Sequence, residues 1–180
     1  MKNIVLTAIA VVVITIAGGV LFLYSGIYNV AAANQDSGLM RWALETGREN
    51  SIESRAEKVS LPDDAFLKNP KTLRMGFDHY NEMCVTCHGA PGIEASEARE
   101  GLNPEPPLLT KVAGKISTKE LFWVIKNGIK MTGMPAWGPT HSDEKIWSMV
   151  AFVKTLPDLS AEKYKMMQKR YAADAEHDDD

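Results

Sequence analysis

The five residues Cys84-Val85-Thr86-Cys87-His88 constrain this chain more than any other stretch. They have the form C-x-x-C-H, and the two cysteines are the only ones in the sequence. On a helical turn, positions i and i+3 share a face. Both thiols can therefore reach the two vinyl groups along one edge of a haem, while the histidine that follows falls beneath the iron. The motif is the standard signal of c-type haem attachment, and it assigns Cys84 and Cys87 as thioether anchors and His88 as an axial ligand. A thioredoxin-like C-x-x-C wants a βαβ setting and a four-ligand zinc site wants a second Cys or His pair. Neither is visible in the sequence, and a structural disulfide is the remaining alternative.

With 180 residues and 45% hydrophobic side chains, the chain has room for one modest domain with extensions. The net charge of −3 argues against a nucleic-acid-binding role. The acidity lies in the flanks: residues 34–70 balance to −2 and 158–180 to −3, whereas 71–157 balance to +1.

Ile4 to Tyr24 form an uncharged run of 21 residues rich in Val, Ile, Leu and Ala. That is long enough to cross a hydrocarbon core as a helix. Tyr24 and Tyr28 stand where an interfacial aromatic belt is expected. Lys2 precedes the run and no basic residue follows until Arg41, which places the N-terminus in the cytoplasm and the rest outside. A cleaved signal peptide competes, with Ala31-Ala32-Ala33 as an A-x-A site. The apolar run exceeds the usual 7–15 residues of a signal core, so an uncleaved anchor is favoured.

Residues 34–69 have the pattern of a juxtamembrane connector. Leu39, Trp42 and Ala43 share one helical face, Gly47 is expected to interrupt, and Ile52, Ala56 and Val59 share another. A helix lying on the bilayer and a loosely packed spacer both fit. Leu61-Pro62-Asp63-Asp64 marks a turn. The main domain is expected over 70–157, starting at Asn69-Pro70, an N-cap followed by proline at the first helical position. Its first helix should run through Tyr80 into the C-x-x-C-H, with Gly76 permitting close approach of another helix.

After His88 the prolines of Asn103-Pro104-Glu105-Pro106-Pro107 exclude a helix or central strand. A metal-bound histidine normally donates its other N–H, and the carbonyl of Pro106 or Pro107 is a candidate acceptor. The alternative is that these prolines only stiffen the loop. Ser117 to Glu120 is a capping box, and Gly128 closes the helix it opens. Ser142, with Asp143 and Glu144 behind it, opens the last core helix, which stops at Leu156-Pro157. A weakly amphipathic helix from Ser160 to about Ala173 leads into Asp178-Asp179-Asp180, expected to be a solvated tail.

The candidates for a sixth ligand are His79, His141, Met131 and Met134. His79 shares the attachment helix and cannot reach the opposite face, and His141 sits at a helix cap where histidines are usually solvated. Met134, between Gly133 and Pro135, lies in an extended loop suited to cover a macrocycle, whereas Met131 suits ordinary packing.

These features together resemble the class I c-type cytochromes. Gly76 and Tyr80 before Cys-Val-Thr-Cys-His, the Gly128 to Met134-Pro135 segment, and Trp147 to Phe152 match that family's pattern over residues 70–157. The anchor, the Ser25 to Ala32 run and Arg48 to Ala56 are similar to membrane-anchored bacterial monohaem cytochromes. So are Cys-His-Gly-Ala-Pro-Gly and Gly-Leu-Asn-Pro-Glu-Pro-Pro. The resemblance implies an all-α class I cytochrome c fold with an N-terminal transmembrane helix. It also implies one covalent haem c, His88 and Met134 as axial ligands, and one-electron transfer without enzymatic turnover.

The expected setting is the bacterial cytoplasmic membrane, crossed once by residues 4–24, with the haem domain on the periplasmic side. The expected partners are redox proteins: a dehydrogenase, a quinol-oxidising complex, or a terminal oxidase or reductase. A fixed haem subunit of a respiratory complex is the alternative, and a sensor or peroxidase-like protein with a labile methionine a further one. Lys111, Lys115, Lys119, Lys126 and Lys130 fall in a segment with one acid, Glu120, and are candidates for steering an acidic partner. Arg99, Trp123 and Trp137 are candidate haem-propionate partners.

Overall fold

A computed structural model describes residues 1–177, and the expectation for the Asp178-Asp179-Asp180 tail lies outside them. Two compact units are present, Met1–Gln35 and Asp36 onward. The described residues are helical, and the sole β feature among them is an isolated bridge between Ala90 and Ile93.

The first unit is helix α1 (Lys2–Ser25). All of its large apolar residues are exposed, as in a helix whose natural surroundings are apolar. Its length and composition are compatible with a single-pass membrane anchor.

The second unit begins with α2 (Gly38–Ala56), capped by Ser37. Gly47 does not interrupt it. One glycine in a helix interior costs about 1 kcal/mol relative to alanine, and the flanking Leu, Glu and Arg residues are good helix formers. Its C-terminal half packs toward α8 (Thr118–Asn127), burying Ala56, and Lys119 Nζ donates to the Glu57 carbonyl at 3.3 Å. Residues from Asp36 onward thus belong to the second unit. Asp63, expected in a turn, caps the short α3 (Asp64–Leu67) by accepting from Phe66 N at 2.6 Å.

The core is the crossing of α4 (Pro70–His79) with α9 (Asp143–Val153). Asn69 caps α4 with Pro70 at its first turn. Gly76 is where the two backbones meet: a Cβ there would lie 2.0 Å from the Ser148 carbonyl oxygen. Around that contact Phe77 meets Phe152 edge-on at 5.4 Å, and Tyr80 lies 5.4 Å from Phe152. Ring pairs of this kind are each worth about 0.5–1.5 kcal/mol beyond area burial. The capping box expected at Ser117 and Glu120 forms on α8, whose Phe122 stacks on Trp147 at 4.1 Å.

α10 (Ala161–His177) belongs to this unit as well. Tyr164 is 1% exposed, its ring 5.3 Å from Phe77. The weak amphipathicity noted in the sequence understated this helix, since Tyr171 also meets Phe77, at 5.2 Å, and Met167 packs on the core.

Lys154, at the end of α9, donates from Nζ to the carbonyls of Ala113 and Ile116, each at 3.0 Å, and lies 3.5 Å from that of Gly114. It closes a turn whose carbonyls lack helical partners. Lys154→Met keeps the stem but removes a charged donor, and bonds to charged groups are worth about 1.5–3 kcal/mol each. A stability loss of about 1–3 kcal/mol is expected in guanidinium unfolding; an unchanged midpoint would show that water satisfies the turn equally well.

Candidate functional site

The attachment motif does not sit on a continuous α-helix, contrary to the expectation. α4 ends at His79, residues Tyr80–Cys84 form a π-helical turn, and only then does α5 (Val85–His88) resume. The extra residue per turn re-aims the cysteines relative to a straight continuation, and such bulges cluster at functional sites. Three partners hold the bulge. Tyr80, fully buried, donates its hydroxyl to the Gly89 carbonyl just past the motif. Asn81 Oδ1 accepts from Tyr164 Oη at 3.1 Å and from Gln168 Nε2 at 3.0 Å, tying the bulge to α10. Sequence spacing pointed to neither Tyr164 nor Gln168, since they lie 83 and 87 positions from Asn81.

Cys84 and Cys87 are not joined to each other. Burial, and then proximity to Cys87, pushes the Cys84 thiol up to about 12. A nucleophilic C-x-x-C thiol has its pKa lowered instead, the opposite direction to that of Cys84. Among the described residues no group of three His, Cys, Asp or Glu side chains is placed to hold a metal ion.

His88 Nδ1 lies 2.8 Å from the Pro107 carbonyl. A carbonyl only accepts, so the Nδ1 proton is fixed there and Nε2 is left as the nitrogen available to iron. Burial holds the His88 pKa below the ordinary imidazole value, with the Arg99 charge adding to the effect against the Pro107 bond, so the ring is kept in its neutral, metal-ligating form. Of the two proline carbonyls considered, Pro107 serves His88, while Pro106 accepts from Arg99 Nε at 3.0 Å. Arg99 also pairs with Glu105, so its guanidinium is engaged within the loop.

That loop follows α6 (Glu97–Glu100) and leads into α7 (Leu109–Val112). Its Leu102 touches Gly133: a Cβ at Gly133 would lie 2.8 Å from the Leu102 methyls. One stretch, 102–107, thus contacts both His88 and the segment carrying Met134.

Two methionines compete in that segment, and the structure separates them. Met131 is 97% exposed, with φ 59° in the left-handed region. Met134 is half-buried and packs on the core. Its backbone is pinned from both sides: Met134 N donates to Thr132 Oγ1 at 3.1 Å, and its carbonyl accepts from Ile129 N at 3.1 Å. Gly128 closes α8 at φ 65°, and a side chain there would collide with the Met134 carbonyl at 2.8 Å. The loop then returns along α8 through Trp137 N to the Ile125 carbonyl at 3.1 Å.

The histidines judged unsuitable as ligands form a pair. His79 and His141 stack edge-on at 5.2 Å, and Trp137 lies 5.5 Å from His141, so His141 is packed rather than freely solvated. Burial lowers the His79 pKa, with the charges of His141 and Lys145 acting the same way and Glu82 opposing. A base whose folded pKa is depressed binds fewer protons than the unfolded chain. Stability is therefore unaffected above the ordinary imidazole value near 6.5 and falls as pH drops below it. Thermal unfolding between pH 7 and 5 should show a steeper loss for the native protein than for His79→Gln; parallel slopes would exclude His79 as the source.

The residues fit a haem on chemical grounds. Two unpaired thiols stand three positions apart, beside a neutral imidazole with one nitrogen committed and a half-buried thioether. Met83, Cys84, Val85, Met134 and Trp137 pack on the core yet stay partly uncovered, an apolar rim that a macrocycle would cover.

Residues 71–153 match the family model described as cytochrome C oxidase, cbb3-type, subunit III. Comparison with curated proteins gives no match. With its helical architecture, C-x-x-C-H bulge and the match to that family model, this segment is a c-type cytochrome domain, which implies a haem c cofactor and electron transfer with redox partner proteins.

Proposed function

We propose that the protein is a membrane-tethered carrier of single electrons with one covalently attached haem, and that it has no catalytic turnover of its own. When bound, the haem supplies a one-electron couple at its iron. Cys84 and Cys87 would hold it by thioethers, His88 would present Nε2, and Met134 would present its sulfur. The observation that carries this reading is the His88–Pro107 bond together with the burial of Met134 beside an exposed Met131. Held by His88 and Met134 together, the group would have no position left for a substrate, and a thioether ligand would favour its reduced form. The distal segment offers no His or Arg acid–base pair of the kind a peroxidase needs. Lys2 ahead of α1 supports placing the cytochrome domain on the outer side.

The ferric protein should display a sulfur-to-iron charge-transfer band, and the ferrous protein should not bind carbon monoxide at neutral pH. Absence of the band together with ready carbon monoxide binding would favour a ligand-binding protein. Denatured protein should keep its haem; release would refute covalent attachment.

A second reading, a fixed subunit of an oxidase complex, is favoured by the description of the matching family. Co-purification of a stoichiometric complex in mild detergent would select it over a free tether.

The lysine segment is narrower as a steering surface than its composition suggested. Lys126 Nζ pairs with Asp143 at 2.6 Å and Lys119 bonds Glu57, whereas Lys111, Lys115 and Lys130 are exposed. Neutralising the latter three should slow electron exchange with an acidic redox protein at low ionic strength and converge with wild type as salt rises. An unchanged low-salt rate would remove these lysines from the docking surface.

A further inference from the structure

We infer that the first half of α2 is an interfacial helix that lies on the lipid surface and fixes the attitude of the cytochrome domain against the membrane. This rests on reading residues 4–24 as an anchor. The two halves of α2 differ. From Ile52 to Ala56 the helix is seated against its own unit, but Leu39, Met40, Trp42 and Leu44 are 75%, 42%, 62% and 57% exposed. At about 100° per residue, Trp42, Leu39, Ala43, Met40 and Leu44 occupy an arc of about 200°, with Arg41, Glu45 and Arg48 opposite. Four large apolar side chains on one side of two helical turns, faced by charges, are the pattern of a helix lying in a headgroup layer. A tryptophan among them suits that depth.

The occupant follows from the chain itself. Only residues 26–37 separate α1 from α2, a span of at most about 40 Å when fully extended. A bilayer crossed by α1 is therefore always within reach. Binding to it is intramolecular, with the high effective concentration that a short tether gives. A second copy or a soluble partner has no such advantage. Because the C-terminal half of α2 packs toward α8, seating the N-terminal half would limit how the whole unit tumbles, and so which surface it offers to partners.

The test uses the full-length holoprotein in phosphatidylethanolamine–phosphatidylglycerol vesicles, with nitroxide labels at Leu39→Cys, Trp42→Cys, Glu45→Cys and, within α1, Ile14→Cys. Power saturation compares access to oxygen, which partitions into lipid, and to a water-soluble nickel chelate. Labels at 39 and 42 should be relaxed mainly by oxygen and the label at 45 mainly by nickel. Nickel access at all three would overturn the inference, and shielding of 39 and 42 from both relaxants would assign the face to protein instead. The Ile14 label separates the two readings. Nickel access there means the anchor itself has failed, whereas oxygen access there with nickel access at 39 and 42 defeats the interfacial helix alone.

Discussion

Gly76→Ala is expected to cost the protein at least about 3 kcal/mol, above the usual range of about 1–3 for an added methyl in a packed core. The reason is what surrounds the position. The new Cβ would stand 2.0 Å from the Ser148 carbonyl oxygen, 2.6 Å from its carbon and 2.9 Å from Phe152 Cβ. Two of these atoms are backbone inside α9, so no rotamer change relieves the clash, and α4 and α9 must move apart. That separation loosens Phe77 and Tyr80 from Phe152, and with them Tyr164, which anchors α10. A domain of this size has about 5–15 kcal/mol in total, so the variant should unfold at much lower guanidinium or fail to accumulate. Ser148→Ala, which leaves the offending carbonyl in place, should not rescue it. A loss under about 0.5 kcal/mol, the scale of an ordinary surface substitution, would mean that the helices do not cross at Gly76.

That contact was legible in the sequence because a glycine one turn before an aromatic, ahead of C-x-x-C-H, has few other uses. The caps were legible for a similar reason: Asn69-Pro70, Ser117 with Glu120, and Ser142 each satisfy backbone groups within three residues, so local chemistry decides them. The π-turn was not, since its partners Tyr164 and Gln168 come from a helix eighty positions away and no local pattern requires them. The path of α2 through Gly47 escaped because propensity is a weak prior that neighbouring residues override. At the site, Met134 was preferred over Met131 from its place between Gly133 and Pro135, but the sequence left two proline carbonyls open. Choosing between those needed to know which one faces His88, a consequence of how the loop over 102–107 is folded and not of any motif.

Met134→Ala is expected to change the redox chemistry outright, while Met131→Ala leaves it alone. The two residues are three apart, in the same loop and of the same chemistry, so the comparison isolates position. Met131 projects almost wholly into solvent from a left-handed backbone; removing its side chain exposes nothing and uncovers no ligand. Met134 is held by Thr132 Oγ1 and Ile129 N, which fix its backbone whatever side chain it carries. Its truncation therefore deletes a thioether from a loop that stays in place. With the thioether gone, the ferric charge-transfer band should vanish and the ferrous protein should take up carbon monoxide. The midpoint potential should fall by on the order of 0.1 V or more, within the about 0.8 V that axial ligation and surroundings span. Spectroelectrochemical titration of both variants beside wild type measures this directly. If Met131→Ala produced the shift and Met134→Ala did not, the loop would have to invert to bring the exposed sulfur to the iron. If neither did, the sixth ligand would lie elsewhere in the chain, and the packed His79–His141 pair would be the next place to look.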